Sequence, residues 1–567
     1  MAYDVVIRGG TVIDGSGLGS FRSDVAINGD TIVAIGRIKQ AGLTEIDATG
    51  FVVTPGFIDG HTHMDAQIFW DPNGTSSCYQ GVTTVVMGNC GFTLAPVNDG
   101  ERNLVVRNLE KAEDLDPEAL AEGITWGFQT FPQYLDVIDD LEKGINYAAQ
   151  IGHSALRTWA MGERAFSDAA TDEDLALMCG QLRDALAAGA IGFSTSRIPH
   201  HETSDNRPVA SRIAEWSEVE ALVDTMAEAG TGIFEFTDSG MNTQDPDERA
   251  EALQRLRTLA ATSGVPVTFG FMATKGADHL LDFLDDTAHA GGRAYAQTHC
   301  RGISVLLSLR TKLPFDLLDS WKPLREKSID EQLRILRDPE LRQPYVDAAV
   351  NADYATFTGI GAAARPPDFE GIRVYLNGLP PNPSVADVAR EQGLHPAEAM
   401  INLCVASDGY QVFQQPSLFQ QDEATLLRAL RHPRSVMTFS DSGAHVSQIA
   451  DASIHTHLLG YWVRDRQEFT MEEAIKMITL APALAWGFAD RGLLRPGMKA
   501  DINIFDPATV GPLVPELVSD LPAGGQRLLQ RSVGFVATLV NGVVTLRDGE
   551  PTGLYPGELL RTQSAAN

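Results

Sequence analysis

Cysteine is scarce in this 567-residue sequence: Cys78, Cys90, Cys179, Cys300 and Cys404 are the only five. They are odd in number, widely scattered and form no CxxC pair, which excludes a disulfide framework and reads as a reduced compartment. Basic residues are outnumbered, 44 Lys and Arg against 75 Asp and Glu, for a net charge of −31. So acidic a chain is a poor partner for nucleic acid or an anionic membrane surface, where binding is mostly cationic neutralisation. No apolar run reaches the ~18 residues of a membrane span, and Met1-Ala2-Tyr3-Asp4 does not open a basic-then-apolar leader. The expected location is cytoplasmic. What is present is ordinary for a globular protein: 44% apolar and 21% charged residues, 52 Gly and 29 Pro.

Both ends of the chain read as short strands between turns. Asp4–Gly9, Thr11–Ile13 and Asp24–Ile27 are β-rich near the start, with Gly9-Gly10, Asp14-Gly15 and Asn28-Gly29 as turns. Ala500–Phe505 and Gly534–Leu546 repeat that texture near the end, with Asn541-Gly542 as a turn. One small β-sandwich assembled from 1–55 and 486–567 is the expectation.

The middle, 56–485, alternates strand and helix. Eight apolar runs stand out: Val52–Asp59, Thr83–Met87, Tyr147–Ile151, Ile191–Thr195, Thr231–Phe236, Pro266–Phe271, Arg293–Gln297 and Ser435–Phe439. Thr171–Ala188 is the clearest helix, with Thr171 and Asp174 in capping-box spacing and Leu175, Met178, Leu182 and Leu186 along one face. Eight strands with crossover helices predict an α/β chain with a (β/α)8 barrel, an open doubly wound sheet being the alternative. More than 100 residues separate the last two strands. Their 302–407 stretch, with Leu379-Pro380-Pro381-Asn382-Pro383, reads as a long insertion over the barrel mouth.

Three motifs carry chemistry, each at a strand end, where barrel active sites lie. Pro55-Gly56-Phe57-Ile58-Asp59-Gly60-His61-Thr62-His63 closes the first strand. Extended backbone sends residues two apart to one face, so His61 and His63 can chelate one metal. Val86-Met87-Gly88-Asn89-Cys90-Gly91 ends the second strand. A thiolate there suits zinc; the plain alternative is a buried Cys acting as a small hydrophobe. Thr438-Phe439-Ser440-Asp441-Ser442-Gly443-Ala444-His445 closes the eighth. Asp441 can bind metal and act as general base, or merely cap the next helix. His153 after strand three, Arg197 and His200-His201 after strand four, Lys275 after strand six, and His445 are further candidates. An Arg or His at these places can anchor a substrate carboxylate or polarise a carbonyl.

Together these motifs resemble the metal-dependent amidohydrolase superfamily, and within it the D-aminoacylase (N-acyl-D-amino-acid deacylase) branch. The likeness spans nearly the whole chain: VIRGGTVIDG, PGFIDGHTH, GVTTVVMGNCG, GHSALR, SDSGAHV and RGLLRPGMKADINIFDP. The Cys in GNCG points to the deacylase branch. The resemblance implies a β-sandwich plus a metal-bearing barrel that hydrolyses an amide with a zinc-activated water. It implies His61, His63 and Cys90 as metal ligands and Asp441 as catalytic acid/base.

The sequence departs from the family in one respect. Histidines that complete the family's zinc site are absent from Ile233-Phe234-Glu235-Phe236-Thr237-Asp238 and from Val267-Thr268-Phe269-Gly270-Phe271-Met272. Phe193-Ser194-Thr195-Ser196-Arg197 offers no lysine as a bridging ligand either. One functional zinc is therefore expected, on His61, His63 and Asp441, with Cys90 as fourth ligand or as holder of a second, weak ion. Glu235 or His201 are the available replacements. The expected reaction is deacylation of an N-acyl-D-amino acid or related amide, with His153, Arg197 and His445 as substrate contacts. A cyclic amidase or lactonase with the same site, and a non-catalytic barrel that binds a small ligand, are the alternatives. A homo-oligomer is left open.

Overall fold

A computed structural model of the protein describes residues 2–357, 365–415 and 421–562. Eight parallel strands form one sheet in the order Ser435–Met437, Ala294–Thr298, Val267–Phe271, Ile233–Thr237, Gly192–Ser196, Asn146–Gly152, Val82–Met87 and Phe57–Asp59. The two ends of this sheet meet one step further along the chain. Phe439–Ser442 runs parallel to His61–Thr62, with Phe439 opposite His61. The strands therefore close into a barrel, numbered here one to eight from Phe57 onward. Each of the eight apolar runs read from the sequence holds one barrel strand.

The first run divides. Val52–Pro55 belongs to the sheet of the termini and Phe57–Asp59 to the barrel. The chain changes sheet at Gly56, where a Cβ would lie 2.1 Å from Thr83 Oγ1. Helices cross over outside the barrel. Asp172–Ala187 starts on the predicted box: Thr171 Oγ1 accepts from the Asp174 N–H while the Asp174 carboxylate accepts from the Thr171 N–H. Its Met178, Leu182, Ala185 and Leu186 are buried against the barrel core.

The strands of both termini join in one nine-stranded sheet, with Ile502–Phe505 pairing antiparallel to Val52–Pro55. Ile7, Val25, Ile27, Ile32, Ile502, Ile504 and Leu539 form its own core. The last described residues leave that sheet. Pro556 and Leu559 bridge to Lys143 and Tyr147, and the Thr562 N–H donates to Gly189 O, so this tail lies along the outside of barrel strand three.

Between strands seven and eight the chain builds a separate core around Leu313, Phe315, Trp321, Leu336, Met400 and Phe413. Val305–Leu307, Phe413–Gln415 and Arg373–Val374 pair antiparallel beneath its helices. The insertion thus runs past residue 407, because its closing strand must return to Val305–Leu307. It is tied to the loop after strand eight by the Leu306 N–H donating to Gln448 O at 2.7 Å and by Arg301–Asp451 at 2.8 Å. That places it at the C-terminal end of the barrel.

Candidate metal centre and active site

Histidines 61 and 63, Cys90 and Asp441 converge at the C-terminal mouth. The backbone first fixes the loop ends. The His63 N–H donates to Ser442 O at 2.8 Å, joining strands one and eight. A Cβ on Gly443 would lie 2.6 Å from His63 O, so only glycine allows that approach. Asn89 Nδ2 donates to Thr62 O at 3.0 Å and the Gly88 N–H to Asp65 Oδ2 at 3.0 Å, joining strands one and two. Cys90, Asp441 and His445 have φ of 54°, 58° and 48°. Non-glycine residues held in this left-handed region cluster at functional sites.

The side chains then form a line of donor atoms. Cys90 Sγ is 3.5 Å from His61 Nε2, which is 3.5 Å from Asp441 Oδ1. Asp441 Oδ1 is 3.2 Å from His63 Nε2. His61, His63 and Cys90 are buried and their ligand atoms lie within 4.8 Å of one another. His61 Nδ1 faces Gln297 Oε1 at 2.5 Å. An amide oxygen only accepts, so Nδ1 carries the proton and Nε2 presents a lone pair inward. Both ring nitrogens of His63 are buried with no hydrogen-bond partner.

The electrostatics follow from burial and mutual charge. Burial lowers the His61 imidazole to about 4. For Asp441, burial works upward, but the adjacent His63, with His61 and His445, holds it well below the usual carboxylate range. Burial also works against charge on His63, yet Glu113 and Asp441 bring it up to about 9. Burial, reinforced by Glu235, Glu113 and Asp441, pushes the Cys90 thiol well up. A thiolate at this place therefore requires a cation.

Glu235 is fully buried beside the thiol. Its Oε2 accepts from the Cys90 N–H at 2.9 Å and its Oε1 from Thr237 Oγ1 at 2.6 Å. The carboxylate on strand five thus holds the backbone of Cys90. His201 pairs its Nδ1 with Ser196 Oγ at 2.8 Å and packs on Phe92, outside the donor line. Arg197 is anchored by its N–H to Thr237 O at 2.7 Å and by NH1 to Ala214 O at 2.8 Å, at the ends of strands four and five.

His153 does not join the others. Its Nδ1 meets Thr195 Oγ1 at 2.8 Å and its Nε2 meets Glu218 at 2.7 Å, all inside the barrel wall. Both ring nitrogens are used, so the expected substrate contact is corrected to a buried structural bond. His445 does reach the site, with Nε2 3.9 Å from Glu113 Oε2. Sequence reasoning missed Glu113, Gln297 and His299. Glu113 stands 3.6 Å from His63 Nε2 on a turn after the helix Arg102–Glu110. His299, buried at the end of strand seven, packs on Phe439 with ring centroids 4.5 Å apart. Nothing local marks Glu113; His299 carried one signal, its place directly after an apolar run.

Residues 44–546 match the amidohydrolase family. The chain belongs to that family. A D-aminoacylase of Alcaligenes xylosoxydans xylosoxydans is 28% identical over 99% of this chain and 98% of its own length. An N-acyl-D-aspartate deacylase of the same organism is 28% identical over 98% of this chain and 95% of its own. Among solved structures, the N-acyl-D-glutamate deacylase of Bordetella bronchiseptica, complexed with zinc and a phosphonate mimic of the tetrahedral intermediate, matches with a TM-score of 0.65. It is 25% identical, over 99% of this chain and 100% of that one. The D-aminoacylase branch inferred from the Cys90 motif is the branch of these relatives. Their match along the whole chain agrees with the barrel read from the alternating strands.

Proposed function

We propose that the protein is a zinc-dependent hydrolase that deacylates N-acyl-D-amino acids or closely related amides. The observation that carries this reading is the donor line Cys90–His61–Asp441–His63 at the ends of barrel strands one, two and eight, in a chain matched end to end by deacylases of N-acyl-D-amino acids. The donors fit the ion. Zinc bonds of 2.0–2.3 Å at tetrahedral angles separate ligand atoms by about 3.3–3.8 Å, and three consecutive spacings here are 3.5, 3.5 and 3.2 Å. Two imidazoles, a thiol and a carboxylate also favour zinc over magnesium or calcium.

In this reading His61, His63 and Asp441 would hold one zinc, with Cys90 beside it. When bound, the ion supplies a Lewis acid that polarises the amide carbonyl and lowers the pKa of a water. Asp441 supplies the base. Its carboxylate is ionised at neutral pH, takes the proton from the attacking water and returns it to the leaving amine. Gln297 keeps the His61 tautomer fixed, and Glu235 keeps Cys90 in place. Arg197, with a guanidinium only partly used by Ala214, is the anchor for the substrate carboxylate.

The test is turnover of a panel of N-acyl-D- and N-acyl-L-amino acids, lactams and lactones by zinc-loaded protein, with metal analysis of the same sample. Selective hydrolysis of the D-series and its loss on chelation are expected. Turnover of lactams or lactones alone would move the protein to the cyclic amidases and lactonases. Absence of both metal and turnover would leave a ligand-binding barrel.

A further inference from the structure

Beyond the donor line, the loop after strand four gathers cations in a chain of net charge −31. Residues 201–209 fold back on themselves, with the Val209 N–H donating to His201 O at 3.2 Å and the Thr203 N–H to Arg207 O at 2.8 Å. The foot of this hairpin is fixed to the barrel. Ser211 Oγ donates to Ser196 O at 2.9 Å, and the Ala210 N–H donates to Asn108 Oδ1 at 3.1 Å on the helix Arg102–Glu110. Arg212, on the turn Ala210–Ile213, is held by its Nη1 donating to His201 O at 3.0 Å. Arg197 is its neighbour, since its own Nη1 donates to Ala214 O, two residues past Arg212.

Side chains of this loop close a circuit that begins and ends at His63. The His63 ring packs on Phe92 and Phe92 on His201, with centroids 6.5 and 5.4 Å apart. His201 meets His200 edge-on at 5.5 Å. The charge of His445 acts on both of them, and His445 stands 3.9 Å from Glu113, itself 3.6 Å from His63. The charges along this circuit do not balance. Among the described residues Arg212 forms no ion pair, and the carboxylate that acts on both it and His200 is Glu202. Lys111 Nζ takes up Glu202 at 2.6 Å, and Glu113 and Asp441 face His63. A guanidinium held by one carbonyl keeps most of its five donors for a ligand, in the fork geometry that matches a carboxylate. His200 is exposed and Arg212 and His445 are only partly buried, so a ligand entering the mouth can reach all three.

We infer that Arg212, with His200 and His445 beside it, binds a second carboxylate of the substrate, the first being the one assigned to Arg197. The preferred substrates are then N-acyl-D-amino acids that carry an extra carboxylate, on the amino-acid side chain or at the end of the acyl group. This inference rests on the deacylase reading proposed above.

Steady-state kinetics of the zinc-loaded protein test it with three substrates: N-acetyl-D-methionine, N-acetyl-D-glutamate and N-succinyl-D-methionine. Wild type should favour one of the two dicarboxylates over N-acetyl-D-methionine by about 10–100-fold in kcat/KM, the factor that a hydrogen bond between charged groups supplies. Which one is favoured shows whether the second carboxylate belongs on the side chain or on the acyl group. Arg212→Gln should bring that ratio close to one, mostly through KM, whereas Arg212→Lys should keep part of it. His200→Gln should lower it less. Circular dichroism confirms the fold of each variant, and if Arg212→Gln fails to fold, the wild-type ratio and His200→Gln decide the case. Turnover of N-acetyl-D-methionine as efficient as that of both dicarboxylates would overturn the inference and leave the proposed function standing. So would a preference that survives Arg212→Gln unchanged. No turnover of any of the three would overturn both readings.

Discussion

At the residue scale the chemistry depends on a few atoms in sub-ångström register. Asp441→Asn keeps the shape of the side chain and removes the base. Turnover should fall by about 10²–10⁴, the usual cost of a lost general base, while thermal unfolding stays near that of wild type. Near-normal activity in the folded variant would remove Asp441 from the mechanism. Glu235→Gln tests a different role. An amide cannot accept from both the Cys90 N–H and the Thr237 hydroxyl through two oxygens, as the carboxylate does. Zinc affinity, read by competition with a chelator, should drop by about 10–100-fold, and an unchanged affinity would mean that Cys90 needs no such support. His61, His63, Cys90 and Asp441 were legible in the sequence because each sits in a motif at the end of an apolar run. Glu113 was not, because it reaches the site from a turn between strands two and three that no local pattern marks. His153 misled for a related reason: its partners, Thr195 and Glu218, lie about 40 and 65 residues away and only folding brings them to its ring.

At the element scale the barrel wall holds a buried charged knot. His153 and Arg157 on the helix His153–Met161 both bond Glu218 on the helix Trp216–Ala229. Burial pushes the Glu218 carboxyl up, but the hydrogen bond from His153 and the charges of His153 and Arg157 outweigh it and leave it at about 2. A carboxylate whose folded pKa is depressed lends stability above its unfolded value, and that stability is lost as pH falls through the folded one. Between pH 4.5 and 2 this carboxylate should account for about 3 kcal/mol of lost stability. Urea unfolding of Glu218→Gln should start from a lower stability at neutral pH, because Arg157 is left buried without its partner, and should then fall less steeply through this acid range. An acid slope equal to that of wild type would place the pH dependence elsewhere. The same two helices show what the sequence conveyed about elements. Alternation, caps and apolar faces located strands and crossovers, but a strand run could not show that the chain changes sheets at Gly56.

At the scale of the whole molecule, the sheet of the termini and the barrel are fastened by polar groups buried between them. Asp501, at the start of strand Ile502–Phe505, accepts from Arg491 NH1 at 2.7 Å and from Asn146 Nδ2 at 3.1 Å through Oδ2. Its Oδ1 accepts from the Asn541 N–H at 2.8 Å, and Asn541 Nδ2 donates to Asn146 Oδ1 at 2.8 Å. Arg491 and Asp501 are 3% and 4% exposed, and with Asp501 removed the buried Arg491 keeps only its partner at the protein surface, Asp490, 3.0 Å from its Nε. Three stretches meet here: Asn146 in barrel strand three, Asp501 355 residues further on with Arg491 near it, and Asn541 a further 40 on, in the turn between strands Phe535–Val540 and Val543–Arg547. Both chain ends read as strands of one domain in the sequence, yet the fastening was invisible, since an Asn in a strand and an Asp before another carry no signal of their partnership. Asp501→Ala should cost about 3–5 kcal/mol, the loss expected when one partner of a buried ion pair is deleted. Asp501→Asn has one acceptor oxygen, enough for the Asn541 N–H but not also for Asn146 Nδ2 and Arg491, and should cost about as much. Because the mouth lies at the opposite end of strand three from Asn146, the surviving folded fraction of either variant should keep wild-type zinc affinity. Urea midpoints followed by both circular dichroism and tryptophan fluorescence check the first two expectations, and dialysis against zinc checks the third. A loss below about 1 kcal/mol in Asp501→Ala would show that water or a neighbouring group readily compensates Arg491.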